Sequence, residues 1–163
     1  MDARKLQKSI AKKMRSLSKY LENSSKKSEK DRFMEKFMLC ETACKEILVA
    51  YFKEKKKEID RRTLKLDMVS IPSAMKKAGY QFDKDLLANI FGAAEKRGKK
   101  SAKKLRDGIA HSLCTEDIDE VFNRRVLLHR EMDAFLLAMR TPPPEIKKKV
   151  KKKRNTPSQN KAA

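Results

Sequence analysis

The sequence predicts an all-α fold, a bundle of four to five helices followed by a basic tail, and three observations carry that reading. Four Gly and five Pro in 163 residues, three of the prolines in one run, leave long stretches free of residues that end helices. Apolar residues recur at three- and four-residue steps through several of those stretches. A hydrophobic content of 39% can fill one modest core, which suits a single helical domain over residues 1–140 with a disordered tail over 141–163.

Leu6, Ile10, Met14, Leu17 and Leu21 mark the inner face of a basic amphipathic helix over residues 3–23. A targeting presequence or a membrane-surface helix is the sharper alternative for a segment so basic and so poor in acid. The polar stretch "ENSSKKSEKD" ends it. Residues 31–58 carry Phe33, Phe37, Cys40, Cys44, Ile47, Leu48, Tyr51 and Phe52, the broad apolar face of the most buried helix. In "LKLDMVSIPSAMKKAGYQF" the alternation at Leu64, Leu66 and Met68 predicts extended chain, and Pro72 can open one or two helical turns.

A short helix is expected from Asp83 to Phe91, stopped by Gly92. Ser101 can cap the next. Thr115 or Asp117 can cap the last, which runs to about Arg140 before "TPPP" stops it. Its buried stripe should be Ile118, Val121, Phe122, Leu128, Met132, Phe135, Leu136 and Met139. Beyond it the chain has too little apolar content to fold alone.

Lys and Arg outnumber Asp and Glu 42 to 22, a net charge of +20 that attracts polyanions. Nucleic acid is the leading partner class and an anionic membrane the second. No apolar run approaches the 18 or so residues that would span a bilayer, and no secretory core is present. The expectation is a chain without a transmembrane segment that stays inside the cell, in the cytoplasm, or in the nucleus of a eukaryote. Cys40, Cys44 and Cys114 lack the paired spacing of a zinc site or a disulfide framework, so they are expected reduced and packed, with no metal and no cofactor.

The segment "LRDGIAHSL", residues 105–113, fits none of this bland patterning. A helix interior disfavours Gly by about 1 kcal/mol relative to Ala, and charged residues are seldom packed inside without partners. Arg106 and His111 are five positions apart, so a continuous helix points them roughly 140° away from each other. To act on one phosphate they need a local bend, a long reach by the arginine, or a second chain. Gly108 makes a bend, or a close approach by another backbone, sterically cheap. Asp107 and His111 are four apart, on one face, where the carboxylate could fix the imidazole tautomer. Arginine for a phosphate, histidine for a proton and an acid to orient it form a set for cleaving RNA through its 2′-hydroxyl.

"RDGIAH" resembles the R-x4-6-H motif of the HEPN superfamily, small all-α domains in which a polar residue commonly follows the arginine, as Asp107 does. The order of helices around it is similar over roughly residues 5–140. Some HEPN families add E-x3-K on an earlier helix, which Glu41 and Lys45 match. The resemblance implies a metal-independent endoribonuclease of toxin-antitoxin or phage-defence type, with Arg106 and His111 catalytic, Asp107 orienting, and Glu41 and Lys45 supporting. It also implies a homodimer with a composite cleft, a protein antitoxin or regulator, and products with a 2′,3′-cyclic phosphate and a 5′-hydroxyl. One branch of the superfamily carries a modifiable tyrosine two positions after the histidine. Leu113 stands there in this chain, so that regulation is not implied.

A non-catalytic RNA-binding module and a helical adaptor for a protein partner are the rival readings. His129, beside the last apolar stripe, is read as structural. In the tail, "KKKVKKKR" puts seven cations in eight positions, Lys147, Lys148, Lys149, Lys151, Lys152, Lys153 and Arg154, which are expected to meet nucleic acid through counterion release.

Overall fold

The computed structural model describes residues 2–22, 28–57, 59–93 and 98–141, so the basic cluster from Lys147 to Arg154 and nearly all of the expected tail lie outside the described residues. The described residues form six helices and no strand: α1 (Ala3–Glu22), α2 (Glu29–Glu54), α3 (Ser70–Lys77), α4 (Lys84–Phe91), α5 (Ala102–Ser112) and α6 (Thr115–Arg140). The count exceeds the expected four to five because the Pro72 segment closes into a full two-turn helix. Asp67 makes this possible by accepting from the backbone N–H groups of Val69 (2.9 Å) and Ser70 (2.7 Å). Pro72 then falls in the first turn, where its missing N–H costs nothing.

The two 26-residue helices α2 and α6 share the most extensive contact and form the spine of the bundle. α1 lies against both, α5 packs on α6 and α4, and α3 on α2. Phe33, Phe37, Phe91 and Phe135 are fully buried at the centre. Cys40 and Cys44 are buried with them, and burial pushes both thiols well above their ordinary range. Leu64 and Leu66 turn inward while Lys65 stays outside, an extended strand-like pattern that pairs with no sheet.

Local chemistry sets the boundaries. Ser28 accepts from Asp31 N–H, so α2 starts two residues earlier than the apolar pattern alone indicates. Asp83 caps α4 by accepting from Asp85 N–H at 2.9 Å. Gly92 does end α4, but in an extended rather than left-handed conformation, with φ −63°. Ser101 caps α5 through Lys104 N–H and donates its own hydroxyl hydrogen to the Gly92 carbonyl.

Two expectations about α6 need correction. Its N-cap is Cys114, without a side-chain cap bond, because Asp117 is turned inward to Lys100 and Thr115 already lies in the helix. Phe122 is 56% exposed instead of buried, with the Arg125 guanidinium 4.5 Å from its ring centroid. Val121, one position and about 100° earlier, takes the inward direction. His129 is held by Glu29 across the α2–α6 seam, in keeping with a structural role.

Candidate functional site: a clamped arginine and an exposed histidine on one helix

α5 runs uninterrupted from Ala102 to Ser112, through Gly108. A continuous helix separates Arg106 and His111 by roughly 140° around the axis, and they meet opposite surroundings. The Arg106 side chain is 20% exposed and its guanidinium is clamped on three sides. Nη2 meets Glu41 Oε2 at 3.2 Å, Nη1 meets Asp107 Oδ1 at 3.1 Å, and the guanidinium carbon stands 5.1 Å from the Phe37 ring centroid. Nε is buried with no hydrogen-bond partner among the described residues.

Glu41 is itself shared. Its Oε1 receives Lys45 Nζ at 2.8 Å, one turn further along α2. The fold therefore brings together Glu41, Lys45, Arg106 and Asp107, two carboxylates and two cations from segments more than 60 residues apart. Glu41 borders the apolar face of α2, where a lone carboxylate would be costly. Two cations offset that cost. Phe37, one turn before Glu41, adds a cation–π surface that sequence reasoning treated only as core, although the i, i+4 spacing puts both on one face.

His111 lies in the last turn of α5, exposed, with no hydrogen bond or ion pair among the described residues. Asp107, expected to orient it, is turned to Arg106 instead, since the guanidinium on the adjacent residue is a permanent cation with a fork of donors. The chain then reverses through Leu113, which sits in the left-handed region at φ 46° with its side chain 69% exposed. Leu113 N–H still reaches the Ile109 carbonyl at 3.2 Å.

Gly108 answers a demand from the same chain rather than from another backbone. A Cβ at that position would lie 1.7 Å from Asp117 Oδ2. Asp117 is 3% exposed, and its Oδ1 accepts from Lys100 Nζ at 2.6 Å. That bond raises the Lys100 ammonium above its usual range. Lys100 N–H donates to Glu120 at 3.2 Å, and Arg124 bonds both Glu120 and the Lys100 carbonyl. This network ties the residue two before α5 to the first three turns of α6. The space above Gly108 is thus filled, so the expected approach of a second backbone there is not available.

Among the described residues no helix is long and apolar enough to cross a membrane. Compared with protein-family models, with curated proteins and with solved structures, the chain matches none.

Proposed function

We propose that the chain is a metal-independent endoribonuclease of the HEPN type, working as a two-fold homodimer in a toxin or phage-defence setting under a protein antitoxin or regulator. One observation carries the reading: Glu41 of the E-x3-K pair meets Arg106 of the R-x4-H pair across the fold while Lys45 meets the same carboxylate, and the motif helix carries a histidine with no partner among the described residues. Arg106 holds the non-bridging oxygens of the scissile phosphate and offsets the charge they gain. His111 takes the proton of the 2′-hydroxyl, whose oxygen then bonds phosphorus as the bond to the 5′-oxygen breaks. The leaving 5′-oxygen receives a proton from a second imidazole or from water, giving a 2′,3′-cyclic phosphate and a 5′-hydroxyl.

Roughly 140° of divergence keeps Arg106 and His111 of one α5 from meeting on a single phosphate. A dimer that faces two motifs together resolves this by letting one chain's arginine act with the other's histidine. The exposed Leu113 beside His111 is an apolar group suited to such cover. The basic tail, by its composition, adds non-specific RNA affinity.

A second reading, a non-catalytic RNA-binding module or adaptor, is favoured by the engagement of Arg106 with two carboxylates, which together with Lys45 leaves the four-residue cluster formally neutral. The deciding experiment is incubation of the protein with tRNA, rRNA and mRNA in EDTA, beside His111→Ala. Cleavage by the wild type alone supports the nuclease, whereas binding without cleavage by both supports the module.

A further inference from the structure

Next to the clamped arginine, α2 and the connection that follows it enclose a cleft of about 330 Å3 lined by Met38, Glu41, Thr42, Lys45, Arg61 and Arg62. Its lining holds three cations and one carboxylate. Glu41 is the shared wall, with Oε2 turned to Arg106 and Oε1 to Lys45, so the cleft and the motif are two sides of a single side chain. Arg61 is anchored on Glu46 at 2.7 Å. Arg62 is exposed and has no ion-pair partner among the described residues. The volume is at the small end of the roughly 300–1,000 Å3 typical of ligand sites, which suits one phosphate and its sugar rather than an extended cofactor.

We propose that this cleft is a phosphate subsite that grips the backbone of single-stranded RNA beside the scissile position, with Arg62 and Arg61 as its principal cations. Arg62 supplies an uncommitted guanidinium whose planar fork matches a phosphate. Arg61 and Lys45 are already oriented by carboxylates and add field. Met38, 58% exposed on the same wall, offers an apolar thioether surface to the ribose or base that the phosphate carries. Thr42 adds a hydroxyl that can donate to a phosphate oxygen. A single strand fits better than a duplex because a cleft of this size holds one phosphate and its sugar and leaves the bases free to splay outward. The proposal rests on the nuclease reading of the Arg106 site, but it concerns binding and is tested separately from cleavage.

The experiment follows binding of a short fluorescent single-stranded RNA by the full chain carrying His111→Ala, over a range of salt concentrations. Arg62→Gln, exposed and free of ion pairs among the described residues, should lower the salt slope by about 0.7 and the affinity at 0.1 M salt about fivefold. Arg61→Gln/Arg62→Gln should lower them by about 1.4 and about 25-fold. Lys12→Gln/Lys19→Gln, an equal loss of charge from the exposed face of α1, should leave both unchanged. Parent-like slopes in both arginine variants would overturn the subsite, as would an equal loss in the α1 control, which would mean that net charge alone is read. If Arg61→Gln disturbs the fold through Glu46, the Arg62→Gln result decides. Wild-type chain that fails to cleave RNA sinks the nuclease and leaves these slopes standing.

Discussion

Arg106 and His111 share a helix yet are built on opposite principles. The arginine is clamped by Glu41, Asp107 and Phe37, and held from behind by Lys45 through Glu41. The histidine stands in solvent at a helix end, followed by a leucine in a left-handed turn. Preorganisation at one end and openness at the other is what a site needs when one group must be fixed before the substrate arrives and the other completed by a partner. The two residues should therefore separate stability from activity. Arg106→Ala leaves Glu41 with one cation instead of two and should cost about 1–3 kcal/mol of stability. His111→Ala should stay within about 0.5 kcal/mol, as an exposed surface change does. Each should lower cleavage in EDTA at least about a hundredfold. Thermal melts and cleavage rates on the same preparations break the comparison if His111→Ala unfolds the protein or if either variant cleaves normally.

The clamp itself can be loosened without removing the arginine. Glu41→Gln keeps the shape of the side chain but deprives Arg106 and Lys45 of their shared charge. A misplaced guanidinium should slow cleavage by about tenfold to a hundredfold, in kcat rather than KM, because positioning and not binding is lost. Lys45→Gln should do less, since Lys45 touches Arg106 only through Glu41. Equal losses in the two variants would mean that Lys45 meets the RNA directly.

Gly108 sharpens the comparison by testing what fixes the helix that carries both residues. Gly108→Ala forces its Cβ onto Asp117 Oδ2 and should cost about 1–3 kcal/mol despite the better helix propensity of Ala. Gly108→Ala/Asp117→Ala should recover much of that loss, giving a coupling energy in a double-mutant cycle of denaturant melts. Additive losses would mean that the clash is relieved elsewhere. The Lys100–Asp117 bond raises the lysine, so its contribution is fully present below the ordinary lysine range and fades only as the pH climbs through the raised value. No loss of this latch is expected as the pH rises to about 9.

Long periodic segments made α1, α2 and α6 legible, because burial and helix period act together along them. The Pro72 segment was harder, since its helix depends on Asp67, whose side chain caps from outside the apolar pattern. The pairs Arg106–His111 and Glu41–Lys45 were legible as spacings, but the meeting of Arg106 with Glu41 was not, because two segments more than 60 residues apart meet only through packing of α5 on α2. The partner of Asp107 was misread for a related reason. Helical spacing shows that it can reach His111 and is silent on the guanidinium beside it. Phe122 shows the same limit, where one position out of register exchanges core for solvent. Arg61 and Arg62 carried no periodic signal at all, and only the folded connection sets them beside Lys45.

The smallest expected effect lies at the open end. An L-residue in the left-handed region costs roughly 1–2 kcal/mol, while placing glycine there costs about 0.5–1 kcal/mol of added chain freedom. Leu113→Gly should therefore stabilise the protein by about 0.5–1 kcal/mol, since the exposed leucine side chain contributes little to the core. A bulky apolar residue kept in a strained turn, next to an exposed histidine, is in character for a group that contacts something outside the monomer. If that contact is the second copy, Leu113→Gly melts higher yet dimerises more weakly, and its cleavage falls faster than linearly on dilution. Light scattering and dilution series measure both. A variant that is more stable and equally active at every concentration would detach Leu113 from the dimer, leaving the turn as strain without function.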